Sequence, residues 1–279
     1  MTTDAATAIE RVSLTLVDDT RPTPANGSFD GAPHRTLETV VSYPVRVAGV
    51  VGPMPLVVFA TGYGGDSMNW SGLTDHWVRA GYVVASPTFP LSCRDAPGGT
   101  SGSDLASQPG DVAFVTRQVL DRAAARGSEL DGLVDADRVA LAGKSFGAIT
   151  VLEAGYCPAE QVPNIRAVIS MTGMALLQGA QFESVDTPLL LEHGDEDALV
   201  PCSASQDVYE RACSPKFFVT LHGEDHLSAF HGGSSPAEAV VVRTTIDFLD
   251  RYVAGEHDAL TRLLRDGDVP GVATIVASP

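Results

Sequence analysis

The chain is poor in basic residues, in cysteine and in long apolar runs. Eighteen Lys and Arg stand against 35 Asp and Glu, for a formal net charge of −17. Phosphate repulsion would oppose approach to such a surface, which argues against nucleic-acid binding. The four cysteines, Cys93, Cys157, Cys202 and Cys213, lack the spacing of a zinc site, and a 279-residue chain needs no disulfide staples. Free thiols are therefore expected. If 203–213 is helical, Cys202 and Cys213 lie roughly 16 Å apart at about 1.5 Å of rise per residue. A disulfide tolerates Cα separations of only about 7 Å, so this pair is not expected to bridge. No stretch approaches the 18 or so apolar residues of a membrane span. The opening "MTTDAATAIERVSLTLV" has neither a basic start nor an apolar run ahead of a small-residue cleavage site. The chain reads as soluble and cytoplasmic, although one trimmed of a leader would read the same.

What is present is core-forming material. The chain is 44% hydrophobic and 19% charged, enough to bury a large interior. "RVSLTLV" (11–17) and "TLETVVSYPVRV" (36–47) alternate as early strands, separated by the loop "TRPTPANGSFDGAPH". Short continuous apolar runs follow at 54–60, 81–87, 138–143, 165–171, 187–193 and 216–222, each with the look of a strand buried on both faces. Helical patterns fall between them. Residues 108–124 set Val112, Val115, Val119 and Ala123 on one face, and 236–254 set Val242, Ile246, Leu249 and Val253. Alternating strands and helices mean a mainly parallel sheet covered on both faces. The two early strands, with no helix between them, give it an antiparallel start. The count is eight strands in a single α/β domain over 1–279, with a strand and loop over 1–35 and a tail over 267–279.

In such a sheet, sites form beyond the carboxyl ends of the strands. One end reads "VALAGKSFGAI", Val139 to Ile149. A phosphate-binding reading of Gly143-Lys144-Ser145 fails. The required earlier glycine is Arg138, and the residues between are strand-like. A nucleophile elbow, G-x-S-x-G, fits instead. Gly143, Gly147 and Ala148 supply the small neighbours that a sharp strand-to-helix turn demands around Ser145. A helix begins there, and its partial positive charge favours an oxyanion. Serine alone is a poor nucleophile and needs a histidine base held by a carboxylate. "LLLEHGDEDALVP" ends one later strand and offers Asp195 or Asp197. "FFVTLHGEDHLSAF" ends the next and offers His222 or His226.

These segments resemble the α/β-hydrolases, whose acid commonly stands in G-x-x-D-x-x-V-P and whose base stands in G-x-x-H. Here the motifs are Gly194 to Pro201 and Gly223 to His226, so the resemblance selects Asp197 and His226. Asp195 is then a turn former, His222 a strand residue, His193 a structural residue and His76 a surface residue of a helix. The resemblance, over roughly 36–254, implies an α/β-hydrolase fold and no metal or organic cofactor.

The oxyanion needs two N–H donors. One is Phe146, which follows the nucleophile. The resemblance assigns the other to Tyr63 in "TGYGGD", where Thr61 stands in place of a common His. The same segment is no dinucleotide fingerprint, because Ser67 occupies the place of the third glycine. Lys144 also departs from the usual residue at its place; its side chain is expected to be solvated, with a tuning role for its charge as the alternative. Only "TGMALLQGAQFESVD" separates two of the strands, too little for a cap domain, so an open site is expected. Tyr63, Met68, Trp70, Phe146, Met171 and Leu227 are candidates to line it. A lidless layout with a "GYGG" loop is similar to dienelactone-hydrolase-like, cutinase-like polyesterase and platelet-activating-factor acetylhydrolase-like enzymes. The implied activity is hydrolysis of a small-molecule or polymeric ester through an acyl-enzyme. Amide, thioester or lactone cleavage on the same residues is the alternative, and a retired hydrolase serving as a binding module is the non-enzyme alternative.

Overall fold

The computed structural model describes residues 8–45, 52–160, 162 and 164–279. Arg46 and Val47, the end of the second strand expected from sequence, lie outside the described residues. The strands are β1 (Ile9–Asp18), β2 (Arg35–Pro44), β3 (Met54–Ala60), β4 (Val83–Thr88), β5 (Val134–Lys144), β6 (Ile165–Met171), β7 (Leu189–Gly194), β8 (Lys216–Leu221) and β9 (Ala273–Ser278). The helices are α1 (Ser71–Arg79), α2 (Gln108–Ala124), α3 (Phe146–Tyr156), α4 (Cys202–Arg211), α5 (Pro236–Leu249) and α6 (Ala259–Asp266).

Among the described residues nine strands form one sheet in the order β1-β2-β4-β3-β5-β6-β7-β8-β9. The run from β4 through β8 is parallel, while β1, β2 and β9 pair antiparallel with their neighbours. The fold is thus the expected α/β-hydrolase architecture with one strand more than the eight read from sequence. The extra strand is β9, in the segment read as a tail. It pairs with β8 from Lys216↔Ser278 to Leu221↔Ala273.

The parallel strands are apolar throughout because both faces are covered. On one face Val112, Val115 and Val119 of α2, Val151 and Leu152 of α3 and Val208 of α4 pack on Leu56, Val58, Leu141 and Leu191. On the other, Trp77 of α1 and Val240, Val241 and Phe248 of α5 pack on Val57, Phe59, Ala142, Ile169 and Val219. The buried stripe of α5 differs from the expected one, since Val242 and Ile246 are only partly buried while Thr244 and Thr245 are buried. Their hydroxyls donate back to Val240 O and Val241 O at 2.8 and 2.7 Å, which lets polar residues occupy a core position. A π-helical turn, Asp250–Ala254, continues α5. Residues 172–188, between β6 and β7, form neither helix nor strand, so no cap covers the strand ends. The helix α4 spans most of the interval between Cys202 and Cys213, and all four cysteines are free thiols. No helix among the described residues is long and apolar enough to cross a membrane.

Candidate active site

The strand β5 runs directly into Ser145, which takes φ 57° and ψ −117° before α3 begins. A side chain at φ > 0 is strained, and the surroundings must hold it. They do so through close approach. A Cβ on Gly143 would overlap the Gly147 carbonyl, and one on Gly147 would overlap Ala60 O. Ser145 N–H donates to Met171 O at 2.9 Å, pinning the turn to β6.

Asp197 and His226 arrive on the loops after β7 and β8, the two strands beyond β6. His226 Nε2 lies 2.8 Å from Ser145 Oγ, and His226 Nδ1 lies 2.6 Å from Asp197 Oδ2. The carboxylate can only accept, so Nδ1 carries the proton and Nε2 offers its lone pair to the serine hydroxyl. Asp197 Oδ1 accepts from Leu199 N and Val200 N at 2.8 and 2.9 Å. Burial pushes this carboxyl's pKa up. The backbone donors and His226 outweigh that push and hold it below the usual carboxylate range. Burial lowers the pKa of His226, and the neighbouring Lys144 cation lowers it further, against the pull of Asp197.

The alternatives left open by the motifs find each other. His222 Nδ1 pairs with Asp195 Oδ2 at 2.9 Å in a solvent-facing loop, apart from Ser145. His193 is placed more tellingly than a merely structural reading suggests. It is buried, and its Nε2 lies 3.1 Å from the same Asp197 Oδ2 that meets His226. Val200 O is a second acceptor for that Nε2–H at 2.9 Å, and Ser205 Oγ sits 2.7 Å from Nδ1. Asp197 therefore lies between two imidazoles. The signal was its place at the end of β7, four residues before the acid.

Tyr63 and Phe146 meet edge-on, with ring centroids 5.6 Å apart. Phe146 opens α3, so its N–H has no intrahelical acceptor. Among the described residues neither it nor Tyr63 N–H has an acceptor within the chain. A Cβ on Gly62 would stand 3.5 Å from Ser145 Cβ, a measure of how closely this loop passes the elbow.

A cavity of about 230 Å³ opens beside these groups, walled by Gly62–Gly65, Asn69, Trp70, Arg94, Leu227 and His231. Tyr63, Trp70 and Leu227 line it as expected. Three other candidates do not, and the first is Phe146, which stands behind the wall, edge-on to Tyr63. Met68 is exposed on the same loop but outside the wall, and Met171 is fully buried in the core beneath. Its contribution is its carbonyl, which accepts from Ser145. His231 and Arg94 were missed. His231 stacks on Trp70 with centroids 5.3 Å apart and planes 10° from parallel. Both residues follow the carboxyl end of a strand, β8 and β4, which is the signal that could have found them.

The family model described as "PETase: PET hydrolase-like" matches residues 38–265. The chain belongs to that family. It is a carboxylic ester hydrolase. Among solved structures, a ferulic acid esterase from Streptomyces cinnamoneus aligns with TM-score 0.69 over 91% of this chain and 92% of its own. At 20% identity that likeness speaks to the fold alone. No curated protein matches the chain.

Proposed function

We propose that the chain hydrolyses carboxylic esters through an acyl-enzyme on Ser145, with His226 as base and Asp197 as its orienting acid. The observation that carries this is the hydrogen-bonded chain from Ser145 Oγ through His226 to Asp197, at 2.8 and 2.6 Å, next to a cavity walled by Tyr63 and by Leu227, the neighbour of His226. His226 Nε2 takes the hydroxyl proton as Ser145 Oγ attacks the ester carbonyl. The developing oxyanion receives the N–H groups of Tyr63 and Phe146, and the imidazolium is stabilised by Asp197. His226 then returns the proton to the departing alkoxide. In the second half, water gives a proton to His226 and attacks the acyl carbonyl, and Ser145 leaves as the free hydroxyl with the acid product. The uncapped strand ends and the Trp70–His231 stack favour esters presented at a surface, the ends or loops of a polyester chain included.

A fluorophosphonate probe should label Ser145 of the folded protein. Ser145→Ala should lose activity by a factor near 10⁶, while its melting temperature stays nearly unchanged. Absence of labelling would overturn the reading. The amidase alternative is judged on matched p-nitrophenyl ester and anilide substrates, and faster anilide cleavage would reverse the order. An acyl-length series with lactones and a polyester film assigns the substrate class.

A further inference from the structure

Lys144 departs from its expected place. Its side chain is fully buried rather than solvated, one residue before the nucleophile. Its ammonium donates to Thr172 Oγ1 at 2.7 Å and faces the rings of Trp70 and Phe230, with 5.5 and 5.1 Å to their centroids. No carboxylate among the described residues comes within 4.0 Å of it, the range of a salt bridge. An ammonium has three donors, and taking it out of water with a single hydrogen bond is costly. Rings replace water only in part.

The identity of the partners gives this cost a purpose. Thr172 follows β6 directly at φ 51°, Trp70 walls the cavity on the loop after β3, and Phe230 stands four residues after His226 on the same loop. One cation therefore touches the loops that carry the base and the cavity wall, and it is itself part of the elbow.

We propose that Lys144 is a positioning residue of this site, whose caged cation ties the elbow to the His226 and Trp70 loops and opposes a proton on the His226 imidazole. The inference rests on the Ser145–His226–Asp197 reading above. The groups facing His226 are Asp197 from the β7 loop, Asp225 from its own loop and Lys144 from the elbow, with His193 reaching it through Asp197. The two carboxylates favour the imidazolium. Among the described residues, Lys144 is the cation that opposes them. It is charged when that matters, because burial brings its pKa down to about 7 while His226 lies below its own ordinary value. As pH falls through the acid limb, Lys144 is already protonated and keeps His226 a competent base to lower pH.

The test compares Lys144→Met with Lys144→Arg, measuring kcat/KM on a neutral ester across pH and the His226 imidazole titration by NMR. Removing the charge should move both midpoints up by roughly half to one pH unit. Arginine, which keeps the charge, should leave both near their original positions. Should the methionine variant fail to fold, Lys144→Gln takes its place. A folded neutral variant whose His226 titrates as before would overturn the proposal, as would an arginine variant that shifts like methionine. Fluorophosphonate labelling of the unsubstituted protein separates the two levels. Unlabelled Ser145 would count against the triad reading, while an unmoved His226 titration in a labelled protein counts against Lys144 alone.

Discussion

Two buried polar networks in this molecule handle charge in opposite ways. At the start of β2, Arg35 is fully buried, and its Nε and Nη2 donate to Asp111 at 2.6 Å each while Nη2 also reaches Asp104 at 2.7 Å. Asp104 further accepts from Leu91 N and Ser92 N at 3.1 and 3.0 Å, and Arg21 joins Asp111 at 2.9 Å. Each charge there has an opposite charge in contact. At the strand ends, Lys144 has no such partner, Asp197 is shared by two histidines, and Ser145 is held in a strained conformation. A network that serves only to hold the fold can saturate its charges. One proposed to move protons leaves groups free to change state.

The largest way to break this contrast is to unpair the Arg35 network. Arg35→Met should destabilise the fold by about 3–5 kcal/mol, because buried Asp104 loses its counter-charge and buried Asp111 keeps only Arg21. Denaturant unfolding measures the loss. Ester turnover per folded molecule should fall far less than stability, since Arg35 meets the cavity wall only indirectly, through Asp104, Ser92 and Gly64. A stable Arg35→Met protein would mean that the cluster is no more than tolerated.

A second substitution probes the shared carboxylate. His193→Phe removes one donor from Asp197, and a hydrogen bond to a charged group is worth about 1.5–3 kcal/mol. We expect kcat to fall on the order of tenfold with KM little changed, because the ester does not touch His193. An equal loss in KM would indicate a collapsed cleft instead.

A third effect, read through pH, concerns Glu192 on β7. It is fully buried, and burial raises its carboxyl pKa to about 8. Thr244 Oγ1 lies 2.5 Å from Glu192 Oε1, while Oε2 has no partner. A carboxyl that stays protonated in the fold binds its proton more tightly there than in the unfolded chain. Its contribution is complete below the ordinary glutamate pKa and fades as pH rises towards 8. Glu192→Gln cannot lose a proton. It should therefore gain on the wild type as pH rises from 5 to 8, by about 2–4 °C in Tm for each kcal/mol involved. A pH-independent difference would contradict the assignment.

Much of this architecture was legible in the residues. Every parallel strand announced itself as a short apolar run, because a strand covered on both faces has no polar side to show. The elbow was legible because glycine at 143 and 147 is a steric requirement of the chain itself. The strand β9 was not. "ATIVAS" lies at an edge, is half-covered, and follows the turn at Gly271, so its pattern carries little amplitude. Lys144 was misread for a different reason. Lysine is ordinarily solvated, and its cage is built from Trp70 and Phe230, each more than 70 positions away along the chain. Met171 failed as a cavity residue because an apolar residue at a strand end can face the core as readily as the cleft.

The position of β5 in the strand order has one more consequence. It is fifth of nine, with four strands on either side. Opening that begins at β1 or β9 must peel several ladders before it reaches Ser145. Backbone amides beneath the serine should be among the slowest in the molecule to exchange with deuterated solvent, and fraying at either edge should leave turnover intact.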